Sequence, residues 1–107
     1  MNLHLLRIFH GVARAGSFSR AAQDMHISQP AVSRAVRELE TQLGLPLFER
    51  GQSGSKARHG VHLTSSGQAV YRHAQGIFAL EHSAEQEIAQ LVGLRRGSLS
   101  VGASSTV

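Results

Sequence analysis

The sequence predicts a mainly α fold: three short helices, a β-hairpin and one long helix that outruns the small core before it. Three observations predict it. Apolar residues recur at steps of three and four from residue 3 to residue 43. Residues that start or stop helices (Gly16, Ser17, Ser28, Gly44) fall between those runs. A longer run of the same period begins after Thr64. With 107 residues, 41% of them hydrophobic, the chain is large enough for one small domain with an appendage and far too small for a two-lobed enzyme.

The first helix spans residues 3–15, with Leu5, Leu6, Phe9, Val12 and Ala13 on one face and Arg7 and Arg14 outside it. Gly11 sits within it, where glycine costs about 1 kcal/mol relative to alanine, and a close helix contact would account for it. Gly16 breaks the pattern and Ser17 caps a short second helix whose inner face is Phe18, Ala21, Ala22 and Met25. His26 and Ile27 make a brief turn, and Ser28 caps the third helix. Pro30 falls in its first turn, where a missing N–H breaks no intrahelical bond. That helix runs to Leu43, before Gly44, with Val32, Val36, Leu39 and Leu43 as its buried stripe. Its opposite face carries Pro30, Ser33, Arg34, Arg37 and Thr41, with Gln29 at the edge.

Residues 47–50 and 60–63 read as two short strands of a hairpin. The Gly- and Ser-rich stretch between them holds Lys56 and Arg58 and no acid. Thr64 caps the last helix, expected over residues 65–92 and roughly 42 Å long. Val70, Ala74, Ile77, Glu81, Ala84, Ile88 and Leu91 follow alternating steps of four and three, a heptad seam with one polar break. Dimerisation through Val70, Ala74, Ile77, Ala84, Ile88 and Leu91 is the expectation, because the helix extends past anything its own domain covers. Tyr71 and Phe78 form a second face, left to pack on the N-terminal domain. Gly93 closes the helix, and Leu99 and Val101 alternate as in a strand that has no partner. The expected organisation is thus a head at 1–64, a linking and dimerising helix at 65–93, and the beginning of a missing domain at 94–107.

Charge is distributed unevenly. Residues 1–60 carry eight Lys and Arg against four Asp and Glu, whereas residues 61–94 carry Arg72 against Glu81, Glu85 and Glu87. A basic N-terminal half suits a polyanionic partner. The absence of cysteine excludes disulfides, zinc-thiolate sites and thiol catalysis. The longest uninterrupted apolar run, Ile77–Leu80, is far too short to span a membrane, and Arg7 and Arg14 interrupt what would be a signal peptide. A cytoplasmic module is expected. His59 and His62 have a spacing that could ligate a metal, but no second pair matches them, and no metal is expected. Asp24 is the only aspartate and has no His and Ser partners in a triad-like arrangement, so no enzyme is expected.

Three helices followed by a hairpin describe a winged helix-turn-helix. In such a head the third helix enters the major groove, where Arg reads guanine and Gln reads adenine. Ser17, Ser19, Ser28 and the helix N-termini suit phosphate. Arg50, Lys56 and Arg58 of the hairpin would lie on the flanking backbone or minor groove. A dimerisation or protein-interaction module on the same scaffold, or a sequence-independent DNA binder, are the rival readings. The first would require an acidic or apolar outer face on the third helix.

The run Phe9, Gly16-Ser17-Phe18-Ser19, Ala21-Ala22, Ser28-Gln29-Pro30-Ala31-Val32-Ser33, Leu39-Glu40, Leu43-Gly44 and Leu47-Phe48-Glu49-Arg50 resembles the N-terminal signature of LysR-type transcriptional regulators. Leu63-Thr64-Ser65-Ser66-Gly67 resembles the start of that family's linker helix, and Arg96–Gly102 the opening strand of its effector domain. The resemblance implies a bacterial regulator that binds an interrupted palindrome in duplex DNA as a homodimer, with tetramers possible in the full-length protein. It also implies a small co-inducer bound by a C-terminal domain absent from this chain, which itself needs no cofactor. By position, Gln29, Pro30, Ser33 and Arg34 correspond to groove contacts and Arg50 to a wing contact. Arg37 joins them on geometry alone. The segment between Arg50 and Val61 is longer than the usual wing of the family.

Overall fold

The computed structural model describes residues 1–49 and 60–100, with side chains through Arg95. Four helices follow in order: α1 (Leu3–Ala15), α2 (Phe18–Met25), α3 (Gln29–Leu43) and α4 (Ser65–Ser100). The chain divides into two units, Met1–Gln75 and Gly76–Val107.

In the first unit each short helix is closed by local chemistry. Asn2 caps α1, its Oδ1 accepting from the N–H groups of His4 (2.8 Å) and Leu5 (3.1 Å). Gly16 ends α1 with φ 77°, a left-handed conformation that glycine adopts without a Cβ penalty, and donates to the Val12 carbonyl. Ser17 Oγ accepts from Arg20 N–H at 3.0 Å to start α2, and Ser28 Oγ from Ala31 N–H at 3.2 Å to start α3. Between them His26 takes the left-handed conformation (φ 60°) that turns the chain from α2 into α3. A non-glycine residue held there stores roughly 1–2 kcal/mol. Gly44 (φ 75°) closes α3 by donating to the Glu40 carbonyl at 2.8 Å.

The core forms where α1, α2 and α3 meet. Leu5, Leu6, Ile8, Phe9 and Val12 of α1 are buried, as are Ala21 and Ala22 of α2. So are Val32, Ala35, Val36 and Leu39 of α3, and Leu47 and Phe48 beyond it. The buried stripe of α3 thus includes Ala35, while Leu43, expected in it, is only half-buried at the last turn. The Phe48 ring sits between Phe9 (5.3 Å) and Phe18 (5.4 Å), tilted to both, and the Phe9 and Phe48 side chains each contribute roughly 1.5–3 kcal/mol by burial. The small side chains of Ala21 and Ala22 leave α2 room against this core. Met25 lies over Gly11, where an added Cβ would come within 2.8 Å of its Cε, a close contact between α1 and α2 that the end of the methionine side chain could relieve by shifting.

The two expected strands are reduced to one antiparallel bridge between Phe48 and Leu63. Glu49 N–H donates to the His62 carbonyl (2.8 Å) and Thr64 N–H to the Leu47 carbonyl (3.0 Å). These bonds flank Phe48 and Leu63, which therefore form a pair without bonds of its own, with side chains close together. The second leg is also tied to the turn after α1, since Val61 N–H donates to the Gly16 carbonyl at 3.1 Å. Residues 50–59, which include Arg50, Lys56, Arg58 and His59, lie outside the described residues.

Thr64 anchors the start of α4: its hydroxyl donates to the Pro46 carbonyl (2.7 Å) and accepts from Gly67 N–H (2.8 Å). Gly67 is buried, and a Cβ there would run into the Leu47 carbonyl, so the first turn of α4 packs directly on the first leg of the hairpin. Tyr71 stacks on His10 of α1 with centroids 5.2 Å apart. Ala74 is completely buried.

The described residues of the second unit are the remainder of α4. The helix does not stop at Gly93 and runs on to Ser100, so Leu99 is helical rather than part of a strand; Val101 lies outside the described residues. A glycine within a helix costs about 1 kcal/mol but breaks no backbone bond, and Leu94, Arg95 and Arg96 after it are good helix formers. Leu99 finds no partner strand among the described residues.

Candidate nucleic-acid interface

The residues expected to meet DNA divide by depth. Ser28, Gln29, Pro30, Arg34 and Arg37 are exposed, and Ser33 is half-buried at the edge of the same face. Pro30, Arg34, Arg37 and Thr41 follow one another at steps of four, three and four, one line along α3 roughly 17 Å long. Neither guanidinium belongs to the core. The Thr41 hydroxyl, at the far end, donates at 3.0 Å to the Arg37 carbonyl of its own helix. The N-terminal end of the line adjoins Ser28, which caps the helix.

The Glu40 carboxylate reaches the backbone beyond α3, accepting from Leu47 N–H at 2.7 Å and Phe48 N–H at 3.3 Å, and so ties the hairpin's first leg to α3.

On α2, Ser19 and Arg20 are exposed and Ser17 is half-buried. The Ser17 and Ser28 hydroxyls each use one lone pair as a cap, and the O–H of each remains a donor suited to a phosphate oxygen. The N-terminus of each of these helices carries partial positive charge. Arg20 was not singled out by sequence reasoning; its place in the first turn of α2, next to Ser19, was the available signal.

His10 is the one described group whose titration is clearly displaced. Burial, then the charges of Arg14 and Arg7, push its pKa below the ordinary 6.5. It stacks on Tyr71 as a neutral ring at the junction of α1 and α4.

Among the described residues no three metal-ligating side chains converge, and no helix is long and apolar enough to cross a membrane.

The expected dimerisation residues differ in exposure. Ala74 is withdrawn from the seam, because it is buried within the head, and Val70 and Ile77 are half-buried. Ala84, Ile88 and Leu91 are exposed, together with Leu80, which the heptad pattern passed over in favour of Glu81. Ile77, Leu80, Ala84, Ile88 and Leu91 fall within roughly 80° of one another at 100° per residue, an apolar line with no polar break. The distal apolar line is thus better continued through Leu80 than through Glu81.

A three-helix head with an exposed basic third helix, a hairpin behind it and a long trailing helix is a winged helix-turn-helix DNA-binding domain. Residues 3–68 match the model of the lysR family of bacterial regulatory helix-turn-helix proteins. The chain belongs to that family. It is 42% identical over its whole length to the RuBisCO operon transcriptional regulator of Allochromatium vinosum, covering 33% of that protein. Its fold superposes on the DNA-binding domain of BenM in complex with benA site 1 DNA with a TM-score of 0.74, at 31% identity over 85% of this chain and 99% of that one. For the DNA-binding domain of CbnR in its DNA complex the TM-score is 0.71, at 32% identity over 86% and 99%. The chain spans about a third of the length of the curated relatives it matches.

Proposed function

We propose that this chain binds duplex DNA sequence-specifically, as the operator-reading part of a LysR-type transcriptional regulator. The observation that carries the reading is the line of exposed Pro30, Arg34 and Arg37 along α3, on a head with the fold of domains solved on DNA. In this reading α3 lies in the major groove. Gln29, Pro30, Ser33 and Arg34 meet base edges, with Arg34 bidentate to a guanine, and Arg37 lies further along the same face. Ser17, Ser19, Ser28 and Arg20 hold phosphates and set the register. Arg50, Lys56 and Arg58 supply flanking contacts.

Two heads are joined through the distal apolar line of α4, so the site is an interrupted palindrome read by a homodimer. The complete regulator places a co-inducer in a C-terminal domain, assembles further through that domain and acts in the bacterial cytoplasm. The chain works by binding and carries no catalytic role.

The test is selection of duplexes from a random-sequence pool by the purified chain, followed by titration at two salt concentrations. Because the relative above is named for a RuBisCO operon, an upstream segment of such an operon is a natural fixed probe alongside the pool. A shared interrupted palindrome bound well above random DNA is expected. Uniform, salt-sensitive binding to all duplexes would replace this reading with that of a sequence-independent binder.

A further inference from the structure

The turn between α2 and α3 is made by backbone hydrogen bonds: His26 N–H donates to the Gln23 carbonyl at 3.2 Å and Ile27 N–H to the Ala22 carbonyl at 3.1 Å. His26 holds φ 60° and ψ 41° there, the one non-glycine residue with positive φ among the described residues. Histidine tolerates this conformation better than most side chains, but its Cβ still carries a penalty that glycine avoids. The His26 side chain is exposed and makes no hydrogen bond, ion pair or ring contact among the described residues. What the fold needs at this position is therefore a backbone shape, which glycine would supply at lower cost.

Five consecutive exposed residues, His26, Ile27, Ser28, Gln29 and Pro30, lead from this turn into the first turn of α3. The last three belong to the candidate interface, and His26 stands two residues before its capping serine. Between Ser17 and Arg37 the only acid is Asp24, against Arg20, Arg34 and Arg37.

We infer that His26 is a further DNA-contacting residue, its imidazole N–H donating to a phosphate oxygen beside the groove that α3 enters. The inference rests on the DNA-binding reading above. With Gln29 and Pro30 at base edges and Ser28 on a phosphate, a side chain that precedes Ser28 meets the backbone rather than the bases. Imidazole has an N–H to give whether neutral or protonated. Such a contact fixes the register of the head and carries no sequence information. It also gives the strained turn a use, since glycine would relax the backbone and leave nothing to reach the phosphate.

The experiment compares wild type, His26→Gly and His26→Ala on two probes. One is a duplex selected by the wild-type chain from a random pool; the other has the same flanks and a scrambled core. The glycine variant removes both the Cβ penalty and the imidazole, whereas the alanine variant removes the imidazole alone. By circular dichroism His26→Gly is expected to melt above wild type and His26→Ala close to it. Both are expected to bind both duplexes about three- to tenfold more weakly, the worth of one hydrogen bond. Their discrimination between the two cores should stay within about twofold of wild type. In the wild-type chain the ring signals of His26, assigned by their absence from His26→Ala, should shift in NMR spectra when either duplex is added.

Wild-type affinity in both variants would overturn the inference. Weakening in the glycine variant alone would overturn it too, by assigning the loss to a looser chain. So would a loss of core discrimination in both variants, which would mean that α3 had moved. A His26→Gly protein that melts below wild type would remove the premise that the turn needs only a backbone shape. A wild-type chain that binds neither duplex would overturn the DNA-binding reading itself, and the inference with it.

Discussion

Gly67 and Gly76 lie nine residues apart on α4, and replacing each by alanine should change stability in opposite directions. At Gly67 a Cβ would overlap the Leu47 carbonyl oxygen, lie 2.9 Å from its carbon and come within 3.0 Å of Leu63 Cδ2. The carbonyl has little freedom to retreat, because it accepts Thr64 N–H at 3.0 Å while Leu47 N–H is held by Glu40 at 2.7 Å. Relief must come from lifting the first turn of α4 off the hairpin. Overpacking of this kind costs about 1–3 kcal/mol, and weakening the Thr64 bond adds about 1 kcal/mol. The helix-propensity gain, at most about 1 kcal/mol, is smaller than usual in a first turn. A net loss of about 2–3 kcal/mol lowers the melting temperature of a head this size by roughly 10–20 °C. Gly76 has nothing within 4 Å of a built Cβ, so Gly76→Ala gains up to about 1 kcal/mol of propensity. Thermal unfolding followed by far-UV circular dichroism measures both. A Gly67→Ala protein that melts at or above the wild-type temperature would refute the argument, since the close approach to Leu47 and Leu63 is what would make the substitution costly.

Arg34→Ala should cost roughly 1–3 kcal/mol on a selected operator and much less on random DNA, because a base contact carries sequence information and a phosphate contact does not; equal losses on both would remove Arg34 from the groove. Leu80→Asp with Ile88→Asp, both exposed on the distal line of α4, should convert a dimer to monomers in sedimentation velocity while the head keeps its melting temperature; an unchanged dimer mass would move the interface elsewhere. Because the folded state holds the His10 pKa below 6.5, the ring is neutral in both states above that pH and the unfolded chain takes up the proton first below it. Stability should therefore decline as pH falls from 6.5 through the lower folded-state value. His10→Gln should remove that part of the slope in denaturant titrations at successive pH values, and an identical slope in the variant would contradict the assignment.

The exposed basic helix α3 was legible in the sequence because its determinants are local. Ser28 and Gly44 bound α3 through bonds that span three or four residues, and the exposure of Arg34 and Arg37 follows from 100° per residue measured against Val32, Val36 and Leu39. Ser17, Gly16 and Thr64 marked their helix ends for the same reason. The fate of α4 was less legible. A heptad pattern identifies an apolar face without saying what covers it, and Ala74 went to the head's own core while Leu80 stayed exposed.

The sequence by itself determined the three short helices, their caps, the basic outer line of α3 and the family signature, all of which rest on spacing along the chain. Only the tertiary structure decided what depends on residues far apart in sequence. It shows that Gly67 is needed against Leu47, that Met25 covers Gly11 and that Glu40 reaches seven residues ahead to hold the hairpin. It also shows which apolar positions of α4 its own head buries. Periodicity is a property of one element, whereas burial and a clash-free approach belong to pairs of elements, and those pairs exist only once the chain has folded.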